Sequence, residues 1–236
     1  MVSIPIYGIS DPQFASALSK TNCAILPVGS LEQHGPHLPV STDSIIVEYI
    51  SRLVASKIGA FVLPVVAYGV SFEHAPMFNL SINNTTLSSL AADISSSLLE
   101  NNVKHVLIIN GHHGNVGALQ YISQTVGKYS RVRNSVHILH YWHALKREFD
   151  HAGEVETSIL LSISPELVRM DKAAPNRTKL TKSKAAYASI TNIPGSFPKL
   201  TGNGVWGDPT KSSAEKGSKM VEEIVDGLVR TIRDLI

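Results

Sequence analysis

The chain is poor in cysteine. Cys23 is the only one among 236 residues, which excludes an internal disulfide framework and a cysteine-rich zinc module and accords with a reducing compartment. Long apolar runs are missing too. None reaches the ~18 residues of a membrane span, and Met1 to Ser10 has neither a basic start nor a long apolar stretch, so no signal peptide is expected. These absences point to a cytoplasmic protein without a membrane partner. Charge of one sign is scarce: 21 Lys and Arg stand against 19 Asp and Glu, a net charge of +2, which argues against a strongly basic nucleic-acid binder. Charged residues make up only 17% of the chain, but apolar residues reach 43%. That supplies a sizeable core and rules out general disorder. The chain has no G-x-S-x-G elbow, and its glycine-containing turn Asn110 to Asn115 is not G-x-G-x-x-G and offers no Walker lysine. Cys23 falls in an expected strand and reads as packed, so nucleophilic catalysis is disfavoured. What the chain does have is ten histidines, several of them beside carboxylates.

At ~150 residues per domain, the length fits one domain over 1–236. Short β-branched runs alternate with helical periodicity. Strands are expected at Ala24–Val28, Phe61–Val66, His105–Ile109 and Ser135–Leu139. Helices are expected over Asp43–Lys57, Leu87–Leu98, from Asn115 to about Lys128, over Glu154–Ile163, and at the C-terminus through Ile224, Val225, Leu228, Ile232 and Leu235. This alternation implies an α/β fold of three layers (α/β/α) with a mostly parallel sheet, whose ligands bind beyond the carboxyl ends of the strands. Ala173 to Ser213 is weakly periodic and reads as a functional loop.

Three segments place metal-type ligands just past strand ends. Glu32 and His34, with Asp43 nearby, follow the first strand. In an extended stretch, residues two apart project to the same side. His112 and His113 lie in the turn Asn110-Gly111-His112-His113-Gly114-Asn115. Asp150, His151, Glu154 and Glu156 surround the start of a helix. Imidazole and carboxylate together suit zinc, manganese or iron(II) at an open site, and a bridging carboxylate such as Asp43 would suit a two-metal hydrolase. Each segment alone has a plainer reading, as a packed histidine or as acids at a helix start. The three together point to metal.

These segments resemble the creatininase (creatinine amidohydrolase) family. The resemblance runs through Leu26-Pro27-Val28-Gly29-Ser30-Leu31-Glu32-Gln33-His34-Gly35-Pro36-His37-Leu38-Pro39, Thr42-Asp43, Tyr68-Gly69, Glu73-His74, Asn110-Gly111-His112, Tyr141-Trp142, His151-Ala152-Gly153-Glu154, Glu156-Thr157-Ser158, Gly207-Asp208-Pro209 and Ala214-Glu215-Lys216-Gly217. It implies an α/β/α fold, two divalent cations per chain, homo-oligomers that are often hexamers, and hydrolysis of a small-molecule C–N amide through a metal-bridging hydroxide. Glu32, His34, Asp43 and His112 are implied as metal ligands, with Asp43 bridging. Creatininase proper carries a further glutamate ligand where this chain has Gly114. Family members with this glycine carry the ligand in the H-A-G-E segment, which points to Glu154. His151 is implied as the catalytic proton donor, with Asp150 or Glu156 orienting it or shuttling the proton, and Trp142, His113 and His37 around the substrate. Creatininase also closes its substrate under an aromatic residue on the loop before the segment matching His151. Here none of the eight residues between Trp142 and His151 is Trp. The resemblance therefore leans towards members such as the archaeal formylamino-pyrimidine nucleotide deformylase, which releases formate, and the mycofactocin peptidases. Arg169, Lys172, Arg177, Lys179, Lys182 and Lys184 would suit a phosphate. The alternatives are creatinine hydrolysis itself, or a non-catalytic metal- or nucleotide-binding domain of the same fold.

Overall fold

The computed structural model describes residues 3–129, 135–176 and 193–236. Five parallel strands form one sheet in the order β1-β3-β2-β4-β5: β1 (Ile4–Pro5), β2 (Cys23–Val28), β3 (Phe61–Val62), β4 (His105–Asn110) and β5 (Val136–His140). The helices are α1 (Asp11–Leu18), α2 (Thr42–Ile58), α3 (Asn84–Glu100), α4 (Val116–Leu119), α5 (Ile122–Tyr129), α6 (Glu154–Ile163), α7 (Ser196–Thr201) and α8 (Ala214–Leu235). Among the described residues no helix is long and apolar enough to cross a membrane.

β2 is apolar throughout and β4 is apolar between its end residues His105 and Asn110, because both faces are covered. Alternate residues point to opposite faces. Cys23, Ile25, Leu107 and Ile109 meet Ile46, Ile50 and Val54 of α2, Ile159 of α6, and Ile224 and Leu228 of α8. Ala24, Leu26, Val106 and Ile108 meet Leu87 and Ala91 of α3, Leu119 of α4, and Ile122 and Val126 of α5. The two cores make the three layers that the alternation of strand and helix implies.

Three expected elements differ. The strand expected at Phe61–Val66 is regular only over Phe61–Val62, since Pro64 has no N–H to give a ladder. The chain rejoins β2 at Val66, whose N–H donates to the Pro27 carbonyl at 2.9 Å. The helix expected to run to about Lys128 breaks at Gln120-Tyr121 into α4 and α5. Within Ala173 to Ser213, the described part contains α7 and a 3-10 turn, Pro209–Lys211. Arg177, Lys179, Lys182 and Lys184 lie outside the described residues. Lys172 lies on the surface beside Asp171, 3.5 Å away.

Candidate metal centre

The centre forms where β2 and β4 end. Past Val28 the chain stays extended, because the Glu32 N–H donates to the Val40 carbonyl (2.9 Å) and the Gln33 N–H to the Phe78 carbonyl (2.7 Å). Glu32 and His34 therefore project to the same side, and both are fully buried. Glycines bring α2 against these strand ends. A Cβ on Gly29 would stand 2.6 Å from the Ser44 Cα, and one on Gly111 would stand 2.7 Å from the Val47 Cβ and 2.9 Å from the Asp43 carbonyl. This close approach carries Asp43, in the first turn of α2, to Glu32 and His34.

The side chains then converge. Asp43 Oδ1 is 3.1 Å from His34 Nε2, and Asp43 Oδ2 is 3.2 Å from His112 Nδ1. Glu32 Oε2 is 3.1 Å from His112 Nε2, and Glu32 Oε1 is 3.1 Å from His74 Nε2 and 3.7 Å from His151 Nδ1. Glu156 Oε2 is 3.6 Å from His34 Nε2. Three buried triads able to hold a metal ion share these residues: Glu32/Asp43/His112, His34/His151/Glu156 and Glu32/His74/His151. The residues fit a cation in three ways. First, Glu32 Oε1 and Asp43 Oδ2 accept no hydrogen bond, although an imidazole nitrogen stands 3.1–3.2 Å from each. Buried carboxylate oxygens of that kind are costly unless something else neutralises them. Second, donors bonded to zinc at ~2.0–2.1 Å stand about 3.3 Å apart around a tetrahedron, close to the spacing seen. Third, the field favours positive charge. Burial lowers the pKa of His34 and His112, yet the carboxylates more than offset it and raise both to about 10. Asp43, despite its burial, is held well below the usual carboxylate range by His34 and His112.

Backbone carbonyls fix which nitrogen each histidine offers. His34 Nδ1 donates to the Glu32 carbonyl at 3.0 Å, His112 Nε2 to the Val70 carbonyl at 2.9 Å, and His151 Nε2 to the Gln33 carbonyl at 3.1 Å. The other nitrogen of each, His34 Nε2, His112 Nδ1 and His151 Nδ1, faces the cluster, and it is the one that can give its lone pair to a cation once no proton occupies it.

The expected residues divide. Glu32, His34, Asp43, His112, His151 and Glu156 come together. Glu154 does not: its carboxylate turns outward to Lys216 Nζ at 2.6 Å, with 29% of the side chain exposed. The two glutamates stand about 200° apart around α6, so only one can face the cluster. Glu156 faces it, with Oε2 accepting the Ala152 N–H at 2.6 Å. Burial, aided by Asp43 and Asp150 and opposed by His34, lifts Glu156 to about 8. Asp150, expected to orient His151, caps the first turn of α6 instead and accepts the Val155 N–H at 3.1 Å. Burial raises its pKa to about 7. A Cβ on Gly153 would collide with that carboxylate. His37 sits outside the cleft, with Nε2 2.9 Å from the Thr157 hydroxyl. Trp142 packs between His140 and Phe149, with ring centroids 5.0 and 5.2 Å away, and does not line the cleft. His113 does line it.

Sequence reasoning gave no role to five residues at this site, among them Phe149, which lines the cleft. Glu73 and Phe197 line the cleft, and the Phe197 ring covers His74 and His151 at 4.5 and 4.7 Å. His74 also lines the cleft, and Gln33 Nε2 lies 2.8 Å from its Nδ1. The adjacent pair Glu73-His74 was a usable signal, and Phe197 left none in a weakly periodic stretch. A side chain at Gly114 would collide with the Val70 carbonyl and His112 Nε2, and its Cβ would stand 3.0 Å from Glu73 Oε1. That space is already filled here. The loop after α7 returns to clamp His151: the His151 and Trp206 backbones exchange hydrogen bonds at 3.0 and 2.7 Å.

Comparison with known proteins agrees with this picture. The family model described as creatinine amidohydrolase matches residues 8–232. The chain is 32% identical to the mycofactocin precursor peptide peptidase of Mycobacterium tuberculosis, covering 97% of this chain and 92% of that protein. It is 25% identical to the creatinine amidohydrolase of Pseudomonas putida, covering 98% and 97%. The 2-amino-5-formylamino-6-ribosylaminopyrimidin-4(3H)-one 5'-monophosphate deformylase of Methanothermobacter thermautotrophicus is 24% identical, covering 90% and 88%. A solved structure titled "Creatininase Mn" superposes with a TM-score of 0.85 at 25% identity, covering 98% of both chains. With its sheet, its buried imidazole–carboxylate centre and a family match along nearly its whole length, the chain belongs to the creatininase family of amidohydrolases.

Proposed function

We propose that the chain hydrolyses the C–N bond of an amide with two divalent cations, one held by Glu32, Asp43 and His112 and the other by His34, Asp43 and Glu156. The observation that carries this reading is the pair of unsatisfied buried oxygens, Glu32 Oε1 and Asp43 Oδ2, set among imidazole nitrogens. What such cations supply when bound is a water that ionises near neutral pH and a Lewis acid for the acyl oxygen. The remaining steps belong to the chain. His151 is buried and held neutral, and its Nδ1 lone pair faces Glu32. It takes the proton of the attacking water at Nδ1 and returns it to the leaving nitrogen. Phe149 and Phe197 close the cleft and exclude water. The acyl group is taken to be small, such as formyl. A peptide substrate is the second reading, favoured by the 32% identity to a relative called a peptide peptidase.

The test is metal content per chain by mass spectrometry, in the wild type and in Glu156→Gln. It is paired with product assays on an N-formyl amine, a short peptide and creatinine. About two ions per chain, fewer in the variant, with formate released, is the expected result. Peptide cleavage without formate release would favour the second reading. No uptake of zinc, manganese or iron would leave a binding domain on this fold and end the hydrolytic reading.

A further inference from the structure

His74 stands among the ligand-type residues, yet its hydrogen bonding is opposite to theirs. His34, His112 and His151 each give one ring N–H to a backbone carbonyl and turn the other nitrogen, the one able to become a lone pair, to the cluster. The partner of His74 Nδ1 is the side-chain amide of Gln33, 2.8 Å away. The orientation of that amide is fixed from both ends. Gln33 Oε1 accepts the Gly35 N–H at 2.9 Å, and Gln33 Nε2 donates to the Gly204 carbonyl at 3.2 Å. A flipped amide would set an NH2 group against the Gly35 N–H and an oxygen against the Gly204 carbonyl. The group facing His74 Nδ1 is therefore a donor, so Nδ1 must accept and the ring proton sits on Nε2. A protonated nitrogen has no lone pair for a cation. His74 Nε2 lies 3.1 Å from Glu32 Oε1 and 3.8 Å from Glu73 Oε1. Its N–H is not aligned on Glu32, whose Oε1 accepts no hydrogen bond. His74 lines the cleft with Asp43, His112, His151 and Glu156, and its ring is held by Phe197 and His151, with centroids at 4.5 and 4.9 Å.

We propose that His74 is a hydrogen-bond donor to the carbonyl oxygen of the substrate amide and not a metal ligand, and that Gln33 is the positioning residue that holds it in the Nε2–H form. The proposal rests on the hydrolytic reading for the substrate, but the proton position and the ligand set stand apart from it. A fixed neutral donor aimed where charge develops on the acyl oxygen contributes without reorganising during the reaction.

The first experiment is nitrogen-15 NMR of the histidine rings in the metal-free and zinc-loaded wild type. His74 should show a protonated Nε2 and an acceptor Nδ1 in both states. A protonated Nδ1 with Nε2 shifted on zinc loading would overturn the proposal. Zinc content gives an independent readout: His74→Gln and His74→Ala should bind as much zinc as the wild type, and a loss like that of Asp43→Asn would overturn it. Gln33→Glu presents an acceptor to Nδ1 and should reverse the tautomer. With it, kcat should fall about 10²–10³-fold, the range for one lost donor, while KM and zinc content hold. His74→Gln keeps an N–H donor and should retain more activity than His74→Ala. Equal loss in both would remove the donor role. Should the chain hydrolyse no amide at all, the NMR and zinc results still decide whether His74 is a ligand.

Discussion

Glu32 and His34 are two residues apart, and so are Glu154 and Glu156, but the two pairs end differently. After β2 the chain is extended, its period is two, and both side chains enter the cluster, each with no exposed surface. At the start of α6 the same separation is about 200° of helix. Glu156 is then 1% exposed beside His34, while Glu154 turns to Lys216. The local backbone decides which acid of a pair faces the cluster. The same two-residue separation that joins side chains on a strand parts them on a helix.

The strand-end side of the comparison breaks hardest at Asp43, which touches both His34 and His112. Asp43→Asn removes the only carboxylate common to both proposed cation sites. Metal content should fall, and turnover should drop about 10³-fold or more, the several kcal/mol a cation contributes to the barrier. Initial rates within tenfold of the wild type, at unchanged metal content, would take Asp43 out of the centre.

The helix side yields the next effect. His151 is tied by its backbone to Trp206 and by its ring to the Gln33 carbonyl. His151→Asn should therefore leave the metal in place while kcat falls by ~10²–10⁴-fold, the range for a lost general acid–base group. If metal content falls as it does in Asp43→Asn, His151 is a ligand and not the proton carrier.

Much of this was legible because the strands are short apolar runs and the helices that cover the sheet carry a strong period. The start of α2 is signalled by Thr42-Asp43, whereas the faces of β2 and β4, apolar on both sides, are sorted only by the packing of Ile25 and Leu107 against one core and Leu26 and Ile108 against the other. The misses share a cause. β1 is only Ile4–Pro5, too short to carry a period. His74 lies in the irregular stretch between β3 and α3, placed by contacts remote in sequence such as the Gln33 N–H on the Phe78 carbonyl. Asp150 offered a carboxylate beside a catalytic-type histidine, and no sequence pattern tells an acid that orients a ring from one that caps a helix. That choice is made by the backbone N–H groups opening α6, which have no other partner at hand.

Beyond the cluster, three histidines are kept neutral. Burial is the main cause at each, and a neighbouring histidine adds to it: His34 at His37, His112 at His113 and His143 at His140 hold all three at about 4. The folded chain thus refuses protons that the unfolded chain accepts below about 6.5. Their contribution to stability is complete above that pH and is lost as pH falls towards about 4. Urea midpoints of the chelated protein should decline through this window, and His140→Gln should make the decline shallower. A midpoint that stays flat from pH 6.5 to 4 would contradict the depressed values.

The smallest effect belongs to Glu154, and it separates the two members of the helical pair. The Glu154–Lys216 contact is short, at 2.6 Å, but both side chains are open to solvent, 29% and 46% exposed. Water screens such a pair, and holding two long side chains in place costs rotamer entropy, so pairs of this kind typically contribute 0.2–1 kcal/mol. Glu154 also lies in the first turn of α6, where a negative charge gains a few tenths of a kcal/mol from the unpaired N–H groups. Glu154→Gln should therefore lower the unfolding free energy by about 1 kcal/mol or less, more at low salt than at high, with metal content and kcat unchanged. Glu156→Gln, one strand-step but two helix positions away, should lose metal. If the two variants exchanged behaviour, α6 would have to be rotated by about half a turn relative to the cluster, and the Asp150 cap and the Ala152–Glu156 hydrogen bond would both have to break.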